Sequence, residues 1–146
     1  MKCSDMAGAV AYIKGDGRNP QLNGSVRFLP YRDGCLVVAQ ISGFPEMKPN
    51  FLGFHIHEGS SCAGTEFSES KGHYNPGGNP HPMHVGDLPP LLNAGGTAFL
   101  SVVTNRFCVA EIIGKTVVIH ENPDDFTSQP AGNAGSKIAC GIIRKM

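Results

Sequence analysis

The segment Gly53-Phe54-His55-Ile56-His57-Glu58 places two histidines two residues apart inside an apolar run. On a β-strand, residues i and i+2 face the same side. His55 and His57 would therefore present two imidazoles in parallel, roughly 6–7 Å apart at the backbone, within reach of one metal ion. Such a pair alone is a weak signal, more often two ordinary surface histidines than a metal site. The other four histidines sharpen the reading. His73, His81 and His84 fall in a Gly/Pro-rich stretch that ends at Asp87, and His120 closes the apolar run Thr116-Val117-Val118-Ile119-His120. Neutral imidazole suits zinc and copper, and Asp87 can complete a zinc set.

The elements that must position these residues read as short strands. Residues 7–14, 24–30 and 35–42 carry strand-like patterns, the last two joined at Tyr31-Arg32-Asp33-Gly34 with an Asp-Gly turn signal. The His55/His57 segment follows, and strands resume at 97–103, 115–120 and 137–143. Residues 107–113 fit either a strand or a short irregular piece. Residues 58–96 show almost no periodicity, and a loop of that length in a compact domain tends to be functional. A second loop, 121–136, is rich in Gly, Pro and Asn. Seven or eight short strands at this spacing argue an all-β sandwich or Greek-key barrel.

Composition narrows the function classes. With 146 residues a single domain over 1–146 is expected. Lys+Arg and Asp+Glu balance at 12 each, so net charge gives no argument for nucleic acid or an anionic membrane as partner. Gly 19, Pro 11 and the absence of Trp predict many turns and few long helices. The first six residues hold no apolar stretch of the kind that leads a secreted chain, so a cytoplasmic location is expected if the native chain starts there; a trimmed secreted or periplasmic protein would look the same. Five cysteines leave at least one thiol without an intrachain partner. Cys35 and Cys108 sit in apolar runs and read as small core hydrophobes, and Cys3 reads as an idle thiol near the end of the chain.

Taken together, the motifs resemble the copper/zinc superoxide dismutase family. The pieces that carry the resemblance are Gly53-Phe54-His55-Ile56-His57-Glu58, Gly72-His73-Tyr74-Asn75-Pro76, His84-Val85-Gly86-Asp87-Leu88, Val118-Ile119-His120-Glu121 followed by Asp124-Asp125, and Gly132-Asn133-Ala134-Gly135-Ser136-Lys137-Ile138-Ala139-Cys140-Gly141. They run in the family's order over 53–141. The family is known to share the sandwich architecture, which implies an all-β, eight-stranded antiparallel Greek-key barrel with two long functional loops. It implies copper at His55, His57, His73 and His120, and zinc at His73, His81, His84 and Asp87, with His73 bridging. Asp124 would be the carboxylate joining His55 to His81, and Glu58 and Asp125 read as solvated acids. Cys62 and Cys140 would form the family's intrasubunit disulfide, closing 79 residues counting both ends, with a stabilisation of about 4–5 kcal/mol at most. The implied reaction converts two superoxide ions to dioxygen and hydrogen peroxide by copper redox cycling beside a structural zinc, with Lys137 and His73 as catalytic residues. A homodimer is a further possibility.

The sequence departs from the family in three places. Lys137 stands where arginine is usual; it keeps the charge but loses the planar fork that fixes a dioxygen-sized anion, so reduced but real activity is expected. His81 and His84 are only three apart, where many members carry a longer insertion. The segment 126–131 is short and without charge, so long-range steering should be weaker. Two rival readings follow from the residues. One is a copper-binding or copper-buffering module of the same fold with little dismutase activity. The other is a hydrolytic zinc enzyme on His81, His84 and Asp87, which would need an open zinc position that four protein ligands do not leave.

Overall fold

A computed structural model describes residues 3–146. Met1 and Lys2, part of the segment read above for a leader, lie outside the described residues. Among the described residues, nine strands and one α-helical turn follow in order: β1 (Ala9–Gly15), β2 (Asn23–Tyr31), β3 (Gly34–Ser42), β4 (Phe51–Leu52), β5 (Phe54–His57), β6 (Leu91–Leu92), β7 (Thr97–Thr104), α1 (Val109–Ile112), β8 (Thr116–His120) and β9 (Lys137–Lys145). The stretch 107–113, open between strand and irregular, contains α1. Its Val109 and Ile112, three apart, are buried, and the Glu111 carboxylate accepts the Cys108 backbone N–H at 2.7 Å, which satisfies a donor that the helix start would leave orphaned.

Seven strands form one antiparallel sheet in the order β5-β8-β9-β1-β2-β3-β7. The non-consecutive neighbours β5-β8, β9-β1 and β3-β7 are the crossovers of a Greek key. β4 and β6 pair separately. β4 runs into β5 and β6 leads into β7, so this small pair links the two edges of the large sheet and closes it into a barrel. Closure removes free edges that would otherwise pair with other chains. β2 and β3 meet in a two-residue turn, Arg32-Asp33, with Arg32 at φ 50°.

The inward set alternates as a half-buried strand requires. Ala9, Ala11 and Ile13 of β1, Val26 and Phe28 of β2, and Cys35, Val37, Ala39 and Ile41 of β3 all enter one core. Phe28 meets Phe107 edge-on with centroids 6.3 Å apart. Two cysteine pairs pin this barrel. Cys62 and Cys140 are joined with Cα atoms 5.9 Å apart, tying the loop after β5 to β9. Cys3 and Cys108 are joined as well, at 5.2 Å. The readings of Cys3 as an idle thiol and Cys108 as a core hydrophobe are therefore corrected: the 3-10 turn Cys3–Asp5 packs against β2 and β3, which carries Cys3 to the residue preceding α1. Cys35 is the free cysteine, fully buried, and burial pushes its thiol up to about 12.

Candidate metal centre

Four residues of β5 are buried on both faces. Phe54 and Ile56 enter the core, and the alternation turns His55 and His57 to the other side, under the loop that follows. Their ring centroids are 6.2 Å apart. β8 lies beside β5, with His55 opposite Val118 and His57 opposite Thr116. A bulge between Ile119 and His120 turns His120 toward the same side. Its N–H donates to the Gly53 carbonyl at 2.8 Å. A Cβ at Gly53 would press on His55, His120 and Ala134, so only glycine lets the two strands' histidines come together here.

The aperiodic loop 58–90 is ordered by pairing with β5 rather than by periodicity of its own. Tyr74 N–H donates to the Ile56 carbonyl, Ile56 N–H to Gly86, Gly86 N–H to Tyr74 and Glu58 N–H to Gly72, all at 2.8–3.0 Å. His57 thereby faces His73, and His55 faces Asp87, in isolated bridges. The structure thus brings all six histidines and Asp87 together. His55, His57, His73 and His120 form one group, and His73, His81, His84 and Asp87 another; within each group the candidate ligand atoms lie within 4.8 Å of one another. The short His81-x-x-His84 spacing closes on Asp87 because the 82–86 turn folds back tightly, with the Asp87 carboxylate accepting the His84 N–H at 3.0 Å.

Four of the rings have one nitrogen anchored and the other turned to the cluster. His57 Nδ1 meets the Lys71 carbonyl at 2.7 Å, and His120 Nδ1 meets the Gly135 carbonyl at 3.0 Å. Their Nε2 atoms then converge to 3.2 Å. His55 Nε2 and His81 Nε2 meet the two oxygens of Asp124 at 2.8 and 2.7 Å. His73 Nδ1 faces Asp87 at 2.8 Å and His84 Nδ1 at 3.1 Å. His55 Nδ1, His73 Nε2 and His81 Nδ1 are buried with no hydrogen-bond partner, although His81 Nδ1 lies 3.0 Å from Asp87 Oδ2 without hydrogen-bond geometry. Unpaired buried nitrogens are costly, and two ligand atoms close together but not hydrogen-bonded are what a shared cation accounts for. The donor set, imidazoles with one carboxylate, fits copper and zinc.

The electrostatics agree. Burial holds His55 down at about 4, with the Asp124 carboxylate pulling the other way. Burial and the neighbouring His55 push His120 to about 3. His57 lies well below its ordinary value through burial and the facing His120. All three are neutral at pH 7, the form that ligates metal. Burial works to raise Asp87, but its hydrogen bond with His73 and the facing histidines outweigh it and keep it ionised. Asp124 is held well below the usual carboxylate range: burial opposes this, and hydrogen bonds from His55, His81 and the Phe126 N–H outweigh it.

The structure places Lys137 at the first position of β9, opposite His120, with Nζ 2.8 Å from both Ser70 Oγ and the Lys71 carbonyl. Glu58 is exposed, and Asp125 caps the following turn through Thr127 and Ser128. Several parts of the site stand outside any motif that sequence reading could have used. These are the Lys71 and Gly135 carbonyls, the Ser70 hydroxyl, and Arg106, whose guanidinium donates to the Pro82 and His84 carbonyls at 2.8 and 3.0 Å. Gly132 was visible only as part of a motif: a Cβ there would collide with Asp124 and His81.

Fold and cluster together define a metal-binding β-barrel with a histidine-rich centre. The sequence model of the copper/zinc superoxide dismutase (SODC) family matches residues 22–143. The chain is 36% identical over 137 residues to copper-zinc superoxide dismutase 2 of Aquifex aeolicus, covering 83% of this chain and 78% of that one. It is 32% identical over 136 residues to the copper-zinc superoxide dismutase of Legionella pneumophila (88% and 82% covered). It is 33% identical over 159 residues to copper-zinc superoxide dismutase 4 of Dictyostelium discoideum (97% and 100% covered). The chain belongs to the copper/zinc superoxide dismutase family.

Proposed function

We propose that this protein is a superoxide dismutase in which His55, His57, His73 and His120 hold copper and His73, His81, His84 and Asp87 hold zinc, with 1–146 acting as one domain. The observation that carries the reading is the pair of four-residue groups that overlap at His73. Copper, when bound, supplies a one-electron couple that oxidises one superoxide to dioxygen and reduces a second, with two protons, to hydrogen peroxide.

The chain's own residues set the conditions for that chemistry. His73 presents Nδ1 to the zinc group and leaves Nε2, buried and without a hydrogen-bond partner, on the copper side. Nε2 is the atom able to hold a proton beside the substrate while Nδ1 keeps the ring in place. Asp124 spans both groups and orients His55 and His81, as outer-shell carboxylates do. Lys137 supplies positive charge close to His57 and His120 for an anionic substrate, and the uncharged 126–131 segment supports weak long-range steering.

The deciding experiment reconstitutes the protein with copper and zinc and measures superoxide turnover and metal content on one sample. Turnover should scale with bound copper. His120→Ala should lose turnover and copper while keeping zinc. Copper at full stoichiometry without turnover would leave the copper-buffering module instead.

Among the described residues no helix is long and apolar enough to cross a membrane. Against the cytoplasmic expectation, the second joined pair, Cys3–Cys108, favours a compartment that keeps disulfides formed, and disulfide mapping of native protein tests this. The homodimer expectation is open to sedimentation velocity.

A further inference from the structure

Lys137 presents one compact charge on a flexible stem, where a guanidinium would present a rigid fork. Something else must fix where that charge sits. Nζ has three protons to donate, and the structure offers the Ser70 hydroxyl at 2.8 Å, the Lys71 carbonyl at 2.8 Å and the Phe67 carbonyl at 3.5 Å. The third is too long to hold the group. Ser70 is fully buried, and its hydroxyl proton is committed to the Phe67 carbonyl at 2.7 Å. What Ser70 turns to Lys137 is therefore a lone pair, fixed in direction. The other acceptor, the Lys71 carbonyl, also takes His57 Nδ1–H at 2.7 Å. Lys137 is thus held between a buried serine and the carbonyl that orients a histidine of the copper group.

We infer that Ser70 is a positioning residue: its hydroxyl fixes the Lys137 ammonium beside the copper group so that the charge receives a small anionic substrate. The inference rests on the copper assignment proposed above. A serine serves here because lysine needs a second, differently directed acceptor. An arginine at 137 would carry its own planar fork, which fixes direction without the hydroxyl.

The test is a double-mutant cycle on copper- and zinc-loaded protein, using Ser70→Ala in the native and Lys137→Arg backgrounds. Two quantities are read: azide affinity by visible titration, and superoxide turnover per bound copper. In the native background Ser70→Ala should weaken azide binding and lower turnover by about fivefold with both metals retained. In the Lys137→Arg background it should change neither by as much as twofold. Equal losses in both backgrounds would make Ser70 merely structural and overturn the inference, as would no loss in the native background. Native protein that binds azide without turning over superoxide would sink the dismutase reading, and azide affinities alone would then judge Ser70. Should Ser70→Ala fail to fold, native protein loaded with zinc alone decides. A Lys137 ammonium held as described gives a proton resonance protected from solvent exchange, and a rapidly exchanging ammonium overturns the inference.

Discussion

His55 and His81 are joined through the two oxygens of one carboxylate. Nε2 of His55 lies 2.8 Å from Asp124 Oδ2 and Nε2 of His81 lies 2.7 Å from Asp124 Oδ1, with all three side chains closed to solvent. Because each Nε2 carries the proton, each Nδ1 is left as a lone pair for metal, one in the group proposed to hold copper and one in the group proposed to hold zinc. A single acid therefore sets the tautomer of a residue in each group.

Replacing that acid by its amide tests the arrangement. Asp124→Asn keeps the shape but offers one acceptor and one donor. One of the two histidines must then flip its tautomer or face a donor with a donor. The affinity of one metal should fall about 10–100-fold, read by chelator competition, while the other is affected less. Unchanged affinity for both metals would show that the carboxylate does not set the tautomers.

Lys71 should respond in the opposite direction, toward stability. Its backbone sits at φ 62°, ψ −149°, a region that a side chain populates only under strain, at a cost of about 1–3 kcal/mol. Its side chain is exposed. Glycine relieves the strain but gives up about 0.5–1 kcal/mol in backbone entropy. Lys71→Gly is expected to gain about 1 kcal/mol in urea unfolding, and Lys71→Ala, which keeps a Cβ, to gain nothing. A stabilising Lys71→Ala would mean the strain is not at this residue.

Much of the fold and the grouping of the ligating residue types was legible because each rests on a local pattern. The i, i+2 spacing of His55 and His57 put two rings on one face, and the strand-like patterns of β1 to β3 predicted an all-β fold. The remainder depends on chain path. The Lys71 and Gly135 carbonyls that anchor His57 and His120 have no side-chain signature, because every residue carries a carbonyl. The 58–90 loop hides its order because it pairs with β5 through scattered backbone bonds rather than a repeating pattern. α1 is a single turn, too short to show a period of 3.6 residues. Cys3 meets Cys108 across 105 positions, and no local pattern reports a contact at that distance.

That cysteine pairing makes a count that can be checked directly. With Cys3–Cys108 and Cys62–Cys140 formed, only Cys35 keeps a thiol, and burial both hides it and pushes its pKa up to about 12. Near pH 8 the reactive thiolate is therefore almost absent. Native protein should show no thiol reactive toward Ellman's reagent, and denatured protein without reductant should show one. Three thiols in the denatured sample would mean that one pair is open. The double variant Cys3→Ser/Cys108→Ser should lose at most about 4–5 kcal/mol, the figure for a loop of roughly a hundred residues, and should keep both metals because this bridge lies outside the metal loops.

Gly132 links loop geometry to metal retention. Its φ is 69°, and a Cβ there would run into the Asp124 carboxylate and the His81 ring. Gly132→Ala therefore carries two separable costs. One is the backbone penalty for a side chain in the left-handed region, about 1–2 kcal/mol. The other is displacement of Asp124 from His81, which should weaken zinc binding more than tenfold. Gly78→Ala separates them: Gly78 also has positive φ, at 65°, but a Cβ there meets nothing within 4 Å. It should show the backbone penalty in urea unfolding and normal zinc release to a chelator. Gly132→Ala should show both the penalty and fast zinc release. If the two alanine variants release zinc at the same rate, the close approach of Gly132 to Asp124 is not what holds the carboxylate in place.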